Sequence, residues 1–101
     1  GVDLISEKKA RSVMLPRIDG HDLCLNVPLT FGLGFGLNRG PIPISPNENA
    51  CYWGGWGGSS GLVDQDARVA MSFVMNNMFS GLLGDTRSFL IRQKAYEDLG
   101  R

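Results

Sequence analysis

The sequence lacks the features that would assign it to several large classes of protein. It has two cysteines, Cys24 and Cys51, and one histidine, His21, among 101 residues. Two distant cysteines cannot form a dense disulfide framework, and with a single histidine they do not make a metal site. No apolar run approaches the roughly 18 residues that a membrane span needs, and no signal-peptide pattern is present. The sequence therefore implies no metal, no other cofactor and no membrane span.

Charge excludes further classes of partner. Ten basic residues balance ten acidic ones, so the formal net charge is zero. Without a basic patch, neither a nucleic acid nor an anionic membrane surface is an expected partner. The length suits one small domain, and a hydrophobic content of 43% fits a globular interior. We expect a soluble chain, with the cytoplasm favoured, and two buried free thiols; a Cys24–Cys51 disulfide or a reactive thiol is the alternative.

The N-terminal third predicts one short helix followed by extended chain. Ser6 is a suitable N-cap for a charged helix over residues 7–15, which Pro16 ends because proline disfavours helix in the residue before it. Residues 19–20, Asp-Gly, predict a turn. Apolar residues alternate with others over residues 23–28, which indicates a weak strand or an extended loop.

The following stretch is rich in glycine and then in proline. Residues 29–37 alternate large and small side chains, which predicts one strand with one apolar face. That face carries Phe31, Leu33, Phe35 and Leu37. Glycines at the alternate positions 32, 34 and 36 leave the other face bare, so another backbone or a ligand can approach it closely. Residues 38–49, with three prolines, predict a non-helical loop.

The remainder predicts antiparallel strands and a C-terminal helix. Strands are expected near residues 50–56 and 68–75, with a turn at residues 64–67. Asp85 can cap a helix that runs to about Leu99 and that Gly100 closes. The helical face that packs on the sheet is predicted to carry Phe89, Arg92, Tyr96 and Leu99. The predicted fold is α+β: an antiparallel β-sheet flanked by a short N-terminal helix and a C-terminal helix. Because one helix cannot cover both sheet faces, we expect other polypeptide to complete the fold.

The central motif is Trp53-Gly54-Gly55-Trp56-Gly57-Gly58-Ser59. It has two interpretations. One is a glycine-rich turn between packed aromatic rings. The other is an edge strand whose backbone N–H groups face a pocket, because glycine lets a substrate carbonyl approach and N–H groups can stabilise an oxyanion.

In order along the chain, these motifs resemble the serine hydrolases of the β-lactamase/DD-peptidase fold. Class C β-lactamases, DD-peptidases and family VIII carboxylesterases share a late strand with a Lys-Thr-Gly motif, which in the esterase branch is often Trp-Gly-Gly or His-Gly-Gly. The corresponding residues here are Trp53-Gly54-Gly55, then the glycine run and outward strand 56–63, the acidic turn Asp64-Gln65-Asp66, and the return strand 69–78 with Asn76-Asn77. The glycine-alternating segment 31–37 and the Gly40-Pro41 loop also resemble the esterases. The resemblance implies that residues 1–101 are the C-terminal segment of a single larger β-lactamase-like domain.

The resemblance also implies roles for residues of the motif. The backbone N–H of Trp56 would form half of the oxyanion hole, and Trp53, Gly54 and Gly55 would bind substrate. Trp53 stands where the β-lactamases and peptidases have a lysine, so the cation that pairs with a substrate carboxylate is missing. A small, neutral ester is therefore the expected substrate, ahead of an amide.

Two other serines match motifs of nucleophiles. Ser6-Glu7-Lys8-Lys9 fits Ser-x-x-Lys, but its helix is charged, short and at the wrong end of the family order. Residues 57–61 fit Gly-x-Ser-x-Gly around Ser59, yet a nucleophile elbow must lead into a helix, and a strand is predicted there. His21 is expected in a solvated loop, without a triad partner.

The family's nucleophile and base are not identifiable in this sequence, and its Tyr-x-Asn motif is absent. The chain alone should therefore be inactive. Its expected partner is the remaining N-terminal part of the same hydrolase domain, in the same or a separate chain. The alternative is a non-catalytic relative that keeps the fold as a binding or scaffolding module.

Overall fold

A computed structural model describes residues 3–100 of the chain. Its helices and strands, in chain order, are α1 (Glu7–Ser12), β1 (Ile18–Asp22), β2 (Val27–Phe31), β3 (Gly36–Leu37), β4 (Ala50–Gly54), β5 (Ser60–Asp64), β6 (Val69–Phe73) and α2 (Thr86–Leu99). The strands form one six-stranded sheet in sequence order, and each strand is antiparallel to the next. The predicted α+β architecture is confirmed. Neither helix of the described part is long and apolar enough to cross a membrane.

Two small apolar clusters lie on opposite faces of this sheet. On one face Tyr96 of α2 packs with Ala50, Leu62 and Ala67. On the other face Met14, in the segment after α1, packs with Leu37 and Cys51. Ala50 and Cys51 are neighbours in one strand, and successive residues of a strand point to opposite faces. Ala50 therefore belongs to the first cluster and Cys51 to the second. Each face of the sheet thus has its own cluster and its own flanking helical segment.

The first turn lies later in the chain than residues 19–20, where the sequence predicted it. Residues 19–20 belong to β1, paired with β2. The chain reverses instead after Asp22, whose carboxylate accepts hydrogen bonds from the N–H groups of Cys24 and Leu25 at 2.9 and 2.7 Å. Asn26 then takes a positive φ of 59°, a conformation that asparagine tolerates. An aspartate side chain that closes a turn on its own following backbone explains the shift. Residues 23–26 of the extended segment predicted over residues 23–28 form this turn, and residues 27–28 begin β2.

The single strand predicted over residues 29–37 is also wrong, because the chain reverses inside it. β2 ends at Phe31, β3 begins at Gly36, and these two residues pair directly. Between them the Gly32 N–H donates to the Phe35 carbonyl at 2.9 Å, and Gly34 has a φ of 83°. Alternating large and small residues do not distinguish a straight strand from a tight hairpin. The predicted close approach is confirmed at Gly32, where a Cβ would meet the carbonyl oxygen of Val13, but not at Gly34, where a Cβ would meet no atom within 4 Å.

The predicted loop at residues 38–49 is confirmed, and both helix starts are capped as predicted. Ser6 accepts a hydrogen bond from the Lys9 N–H, but α1 ends at Ser12, earlier than expected. Asp85 caps α2 in a capping box with Ser88, and Gly100 closes the helix with a φ of 66°. On α2, Tyr96 is buried, whereas Phe89 and Leu99 of the predicted packing face are exposed.

The predictions for the two cysteines and the histidine are confirmed only in part. Both thiols are free; Cys51 is buried as predicted, but Cys24 is exposed because it lies in the turn after β1. Burial raises the pKa of the Cys51 thiol. His21 is exposed as predicted but lies in β1, where its ring nitrogen is 2.8 Å from Oδ1 of Asn26.

Candidate active-site strand

The motif residues occupy the end of β4 and the tight turn that follows it. β4 ends at Gly54, two residues before the predicted end. We call residues 55–58 the Trp56 turn. The Gly58 N–H donates to the Gly55 carbonyl at 3.4 Å, and the Gly55 N–H donates to the Ser59 carbonyl at 3.0 Å. Trp56 is the second residue of this turn, and Gly57 at the third position has a φ of 104°, which requires glycine in practice.

The backbone N–H of Trp56 makes no hydrogen bond to any residue within positions 3–100. Its direction follows from the turn. The Gly55 carbonyl, in the same peptide plane, is turned inward toward the Gly58 N–H. Because a trans peptide places C=O and N–H on opposite sides, the Trp56 N–H points out of the turn. The side chain of Trp56 is also largely exposed. The end of β4 therefore presents one unused backbone donor.

Trp53 and Gly54 face opposite sides of the sheet. By alternation Trp53 shares the Cys51 face, away from α2, and its ring lies 5.3 Å from the ring of Phe31, centroid to centroid. Gly54 faces the loop before α2, where a Cβ would lie 2.6 Å from the carbonyl carbon of Leu83. Gly54 is thus required for packing, while Trp53 stands at the same end of the sheet as the Trp56 turn.

A buried carboxylate lies at the other end of β5, where the sequence indicated only an acidic turn. Asp64 is 1% exposed. Its oxygens accept hydrogen bonds from Ser45 Oγ, Asn47 Nδ2, the Ala67 N–H and the Tyr96 hydroxyl at 2.6–2.9 Å. Burial alone would raise the pKa of this carboxyl, but the hydrogen bonds outweigh burial and lower the pKa to about 2. The charged carboxylate thus anchors the proline-rich loop and α2 to the sheet.

Neither of the two serines that match nucleophile motifs has the local structure that its motif requires. Ser59 leads directly into strand β5, so the nucleophile elbow, which needs a helix there, is excluded. Ser6 Oγ accepts the Lys9 N–H as the cap of an exposed six-residue helix. Among the described residues, no group of three or more histidine, cysteine, aspartate or glutamate side chains could hold a metal ion.

Comparison with known proteins identifies the fold. No protein-family model matches the sequence, and a search of curated proteins found no match. Several solved structures are similar, among them the following two. A family VIII carboxylesterase is 32% identical with a TM-score of 0.84, over 92% of this chain and 25% of that chain. A penicillin-binding protein homologue from Caulobacter crescentus is 32% identical with a TM-score of 0.88, over 96% of this chain and 26% of that chain.

The predicted resemblance to serine hydrolases of the β-lactamase/DD-peptidase fold is confirmed. The chain has the architecture of part of a β-lactamase-like fold, and family VIII carboxylesterases and penicillin-binding proteins are both represented among its structural relatives. It spans about a quarter of the length of these two relatives, which is consistent with the predicted C-terminal portion.

Proposed function

We propose that the chain supplies the oxyanion-hole strand and one pocket wall of a serine hydrolase that cleaves esters through an acyl-enzyme. The observation that carries the proposal is the Trp56 N–H. It directly follows Trp53-Gly54-Gly55, points out of its turn and has no hydrogen-bond partner within residues 3–100.

In this reaction the chain contributes to one step, the stabilisation of the tetrahedral intermediate. A serine in the rest of the domain attacks the ester carbonyl carbon. A lysine and a tyrosine there take the proton of the serine hydroxyl and pass it to the departing alcohol. The carbonyl oxygen becomes negatively charged in the tetrahedral intermediate, where it accepts a hydrogen bond from the Trp56 N–H and from one further donor. Collapse of the intermediate expels the alcohol and leaves the acyl-serine, which water then hydrolyses. One such donor contributes roughly 100- to 1,000-fold to kcat.

The substrate class follows from Trp53. Its ring, tilted at 44° to the ring of Phe31, offers an apolar surface of the kind that binds an acyl or aromatic group. No cation stands at this position, so a substrate carboxylate would lose its water without gaining a partner. A small neutral ester is therefore favoured over a β-lactam or a peptide.

The partner is the rest of the same hydrolase domain, with residues 1–101 as its C-terminal segment. The Cys51 face of the sheet exposes Trp53 (37%) and Val63 (45%), and Phe35 (42%) lies beside them. These residues border a cavity of about 250 Å³ that Gly61 also lines, and a Cβ added at Gly61 would meet no atom within 4 Å. An open apolar face of this kind marks a surface that other polypeptide covers. The nucleophile would reach the Trp56 turn from this side.

A fluorophosphonate that labels activated serines tests the proposal. The natively isolated protein is labelled and its intact mass is measured. Label on a longer polypeptide, or on a partner of this 11.0 kDa chain, is the expected result. Label on an 11.0 kDa species would mean that a serine of this chain is the nucleophile and would refute the assignment. Complete absence of label would favour the non-catalytic binding module.

A further inference from the structure

The Trp56 turn is held on its inner side by the side chain of Arg87, in the first turn of α2. One terminal nitrogen, Nη2, donates to the Gly57 carbonyl at 3.2 Å, and the other, Nη1, donates to the Asn77 carbonyl at 2.7 Å. The guanidinium carbon also lies 3.9 Å from the centroid of the Phe79 ring. A single planar group thus joins the Trp56 turn to the segment that follows β6.

Asp85 fixes the guanidinium itself. Its Oδ2 accepts from Nη2 at 2.6 Å and from Nε at 3.1 Å, while its Oδ1 caps α2 through the Arg87 N–H. The hydrogen bond from Arg87 holds the pKa of Asp85 below its usual value. A cation in the first turn of a helix is disfavoured by the helix dipole. Here the carboxylate of Asp85 offsets that cost. The two terminal nitrogens of the guanidinium still donate hydrogen bonds to the carbonyls of Gly57 and Asn77.

The turn is closely fitted to this pair. The Gly57 N–H donates to the Gly81 carbonyl at 3.2 Å, and the Gly57 carbonyl also accepts from the Phe79 N–H at 3.0 Å. A Cβ at Gly58 would lie 2.8 Å from Nη2 of Arg87 and would meet the Asp85 carboxylate. Both peptide planes on the C-terminal side of Trp56 are therefore held by hydrogen bonds.

We infer that Arg87 is a positioning residue that fixes the Trp56 turn so that the Trp56 N–H points at the developing oxyanion. This inference rests on the proposed function of the turn. A donor stabilises a transition state well only if it is already aimed before charge develops, because reorientation during the reaction costs free energy. With Arg87 removed, Gly57 and Gly58, which have no side chain to restrict them, would let the turn change orientation. Ester binding through Trp53 would persist, but the intermediate would be held less well.

The test uses the complete hydrolase and measures kcat and KM on a neutral ester. Arg87→Ala is expected to lower kcat about tenfold or more, with KM within about twofold of its original value. Millimolar methylguanidinium, which can occupy the emptied site, is expected to restore part of the lost kcat. Lys94→Ala, on the exposed side of the same helix, is the matched control and should leave kcat unchanged. Among the described residues, Lys94 makes only exposed ion pairs, both within α2.

A second variant guards against misfolding of Arg87→Ala. Arg87→Lys keeps the charge beside Asp85 but has a single terminal nitrogen, so it cannot reproduce the planar fork that joins Gly57 and Asn77. It should fold and still show a reduced kcat. An unchanged kcat in every folded Arg87 variant, or a loss that appears only in KM, would overturn the inference. Trp56→Pro separates this failure from failure of the proposed function: if it is inactive while the Arg87 variants are normal, only the role of Arg87 is wrong.

Discussion

The hydroxyl of Tyr96 donates a 2.7 Å hydrogen bond to Oδ2 of Asp64, and this bond joins the C-terminal helix to the end of β5. Ser45 and Asn47 of the proline-rich loop donate to the same carboxylate oxygen. Three segments that are distant in sequence therefore share one buried anion. Because a buried carboxylate is tolerated only when its oxygens are hydrogen-bonded, the fold depends on its remaining charged.

The first prediction concerns acid stability. The pKa of Asp64 is about 2 in the folded state against an ordinary value of 3.8, so folding favours the ionised form. Its contribution is complete above the unfolded value and is lost as the pH falls from about 4 to about 2. That contribution is on the order of 2 kcal/mol. Asp64→Asn should lose this part of the pH dependence. It should also lower the free energy of unfolding at neutral pH by roughly 2–3 kcal/mol, because the amide NH2 group would face side chains that themselves donate hydrogen bonds to this position.

Urea unfolding at a series of pH values, followed by circular dichroism, measures both effects. Asp98→Asn is the control, because Asp98 is an exposed carboxylate whose one ion pair within residues 3–100 is with Lys94. It should change the stability by less than about 1 kcal/mol at any pH. If Asp64→Asn retains the acid dependence of the original protein, another carboxyl group is responsible for it.

The second prediction concerns Gly54, at the end of β4. A Cβ there would lie 2.6 Å from the carbonyl carbon of Leu83 and 2.8 Å from the Gly84 nitrogen, and neither backbone atom can move without displacing the loop. Gly54→Ala should therefore cost roughly 1–3 kcal/mol of stability. At Gly40 a Cβ would meet no atom within 4 Å, so Gly40→Ala should be nearly neutral. Thermal unfolding of the two variants provides the comparison, and equal melting temperatures would show that the loop does not pack on Gly54 as described.

Sequence patterns predicted the elements that depend on local chemistry and missed those that depend on distant partners. The caps of both helices follow from Ser6 and Asp85, whose side chains bond to their own following backbone. The reversal at residues 32–35 was missed because side-chain alternation continues through a tight turn. Burial of Asp64 was also missed, since its donors Ser45 and Tyr96 lie 19 and 32 residues away.

The candidate site also has a part that the sequence predicted and a part that it did not. The Trp-Gly-Gly motif placed a strand at Ala50–Gly54 and drew attention to the N–H of Trp56, because both are properties of a short contiguous segment, although the strand ends two residues earlier than predicted. Arg87 was overlooked, although an arginine in the first turn of a helix runs against the helix dipole and is a signal in itself. Only the tertiary contact between the Trp56 turn and α2 shows what that arginine binds.

The third prediction tests why a neutral substrate is favoured. In the complete hydrolase, Trp53→Lys would place a cation where the lactamases and peptidases have one. Trp53→Met, of similar length but uncharged, is the matched control. The ratio of kcat/KM for an ester that bears a carboxylate to that for its neutral analogue should be roughly fivefold higher in the lysine variant than in the methionine variant. This corresponds to about 1 kcal/mol for a partly exposed ion pair. Equal ratios would place the substrate away from Trp53.

The last prediction concerns the Trp56 N–H itself. Trp56→Pro removes the donor, and proline suits the second position of this turn, so the variant should fold. Trp56→Ala removes the ring but keeps the N–H. In the complete hydrolase, Trp56→Pro should lower kcat for ester turnover roughly 100- to 1,000-fold while substrate binding is partly retained, whereas Trp56→Ala should mainly raise KM. Circular dichroism verifies that both variants are folded. Near-normal turnover by a folded Trp56→Pro variant would refute the oxyanion role, because no other change can supply the missing hydrogen at that position.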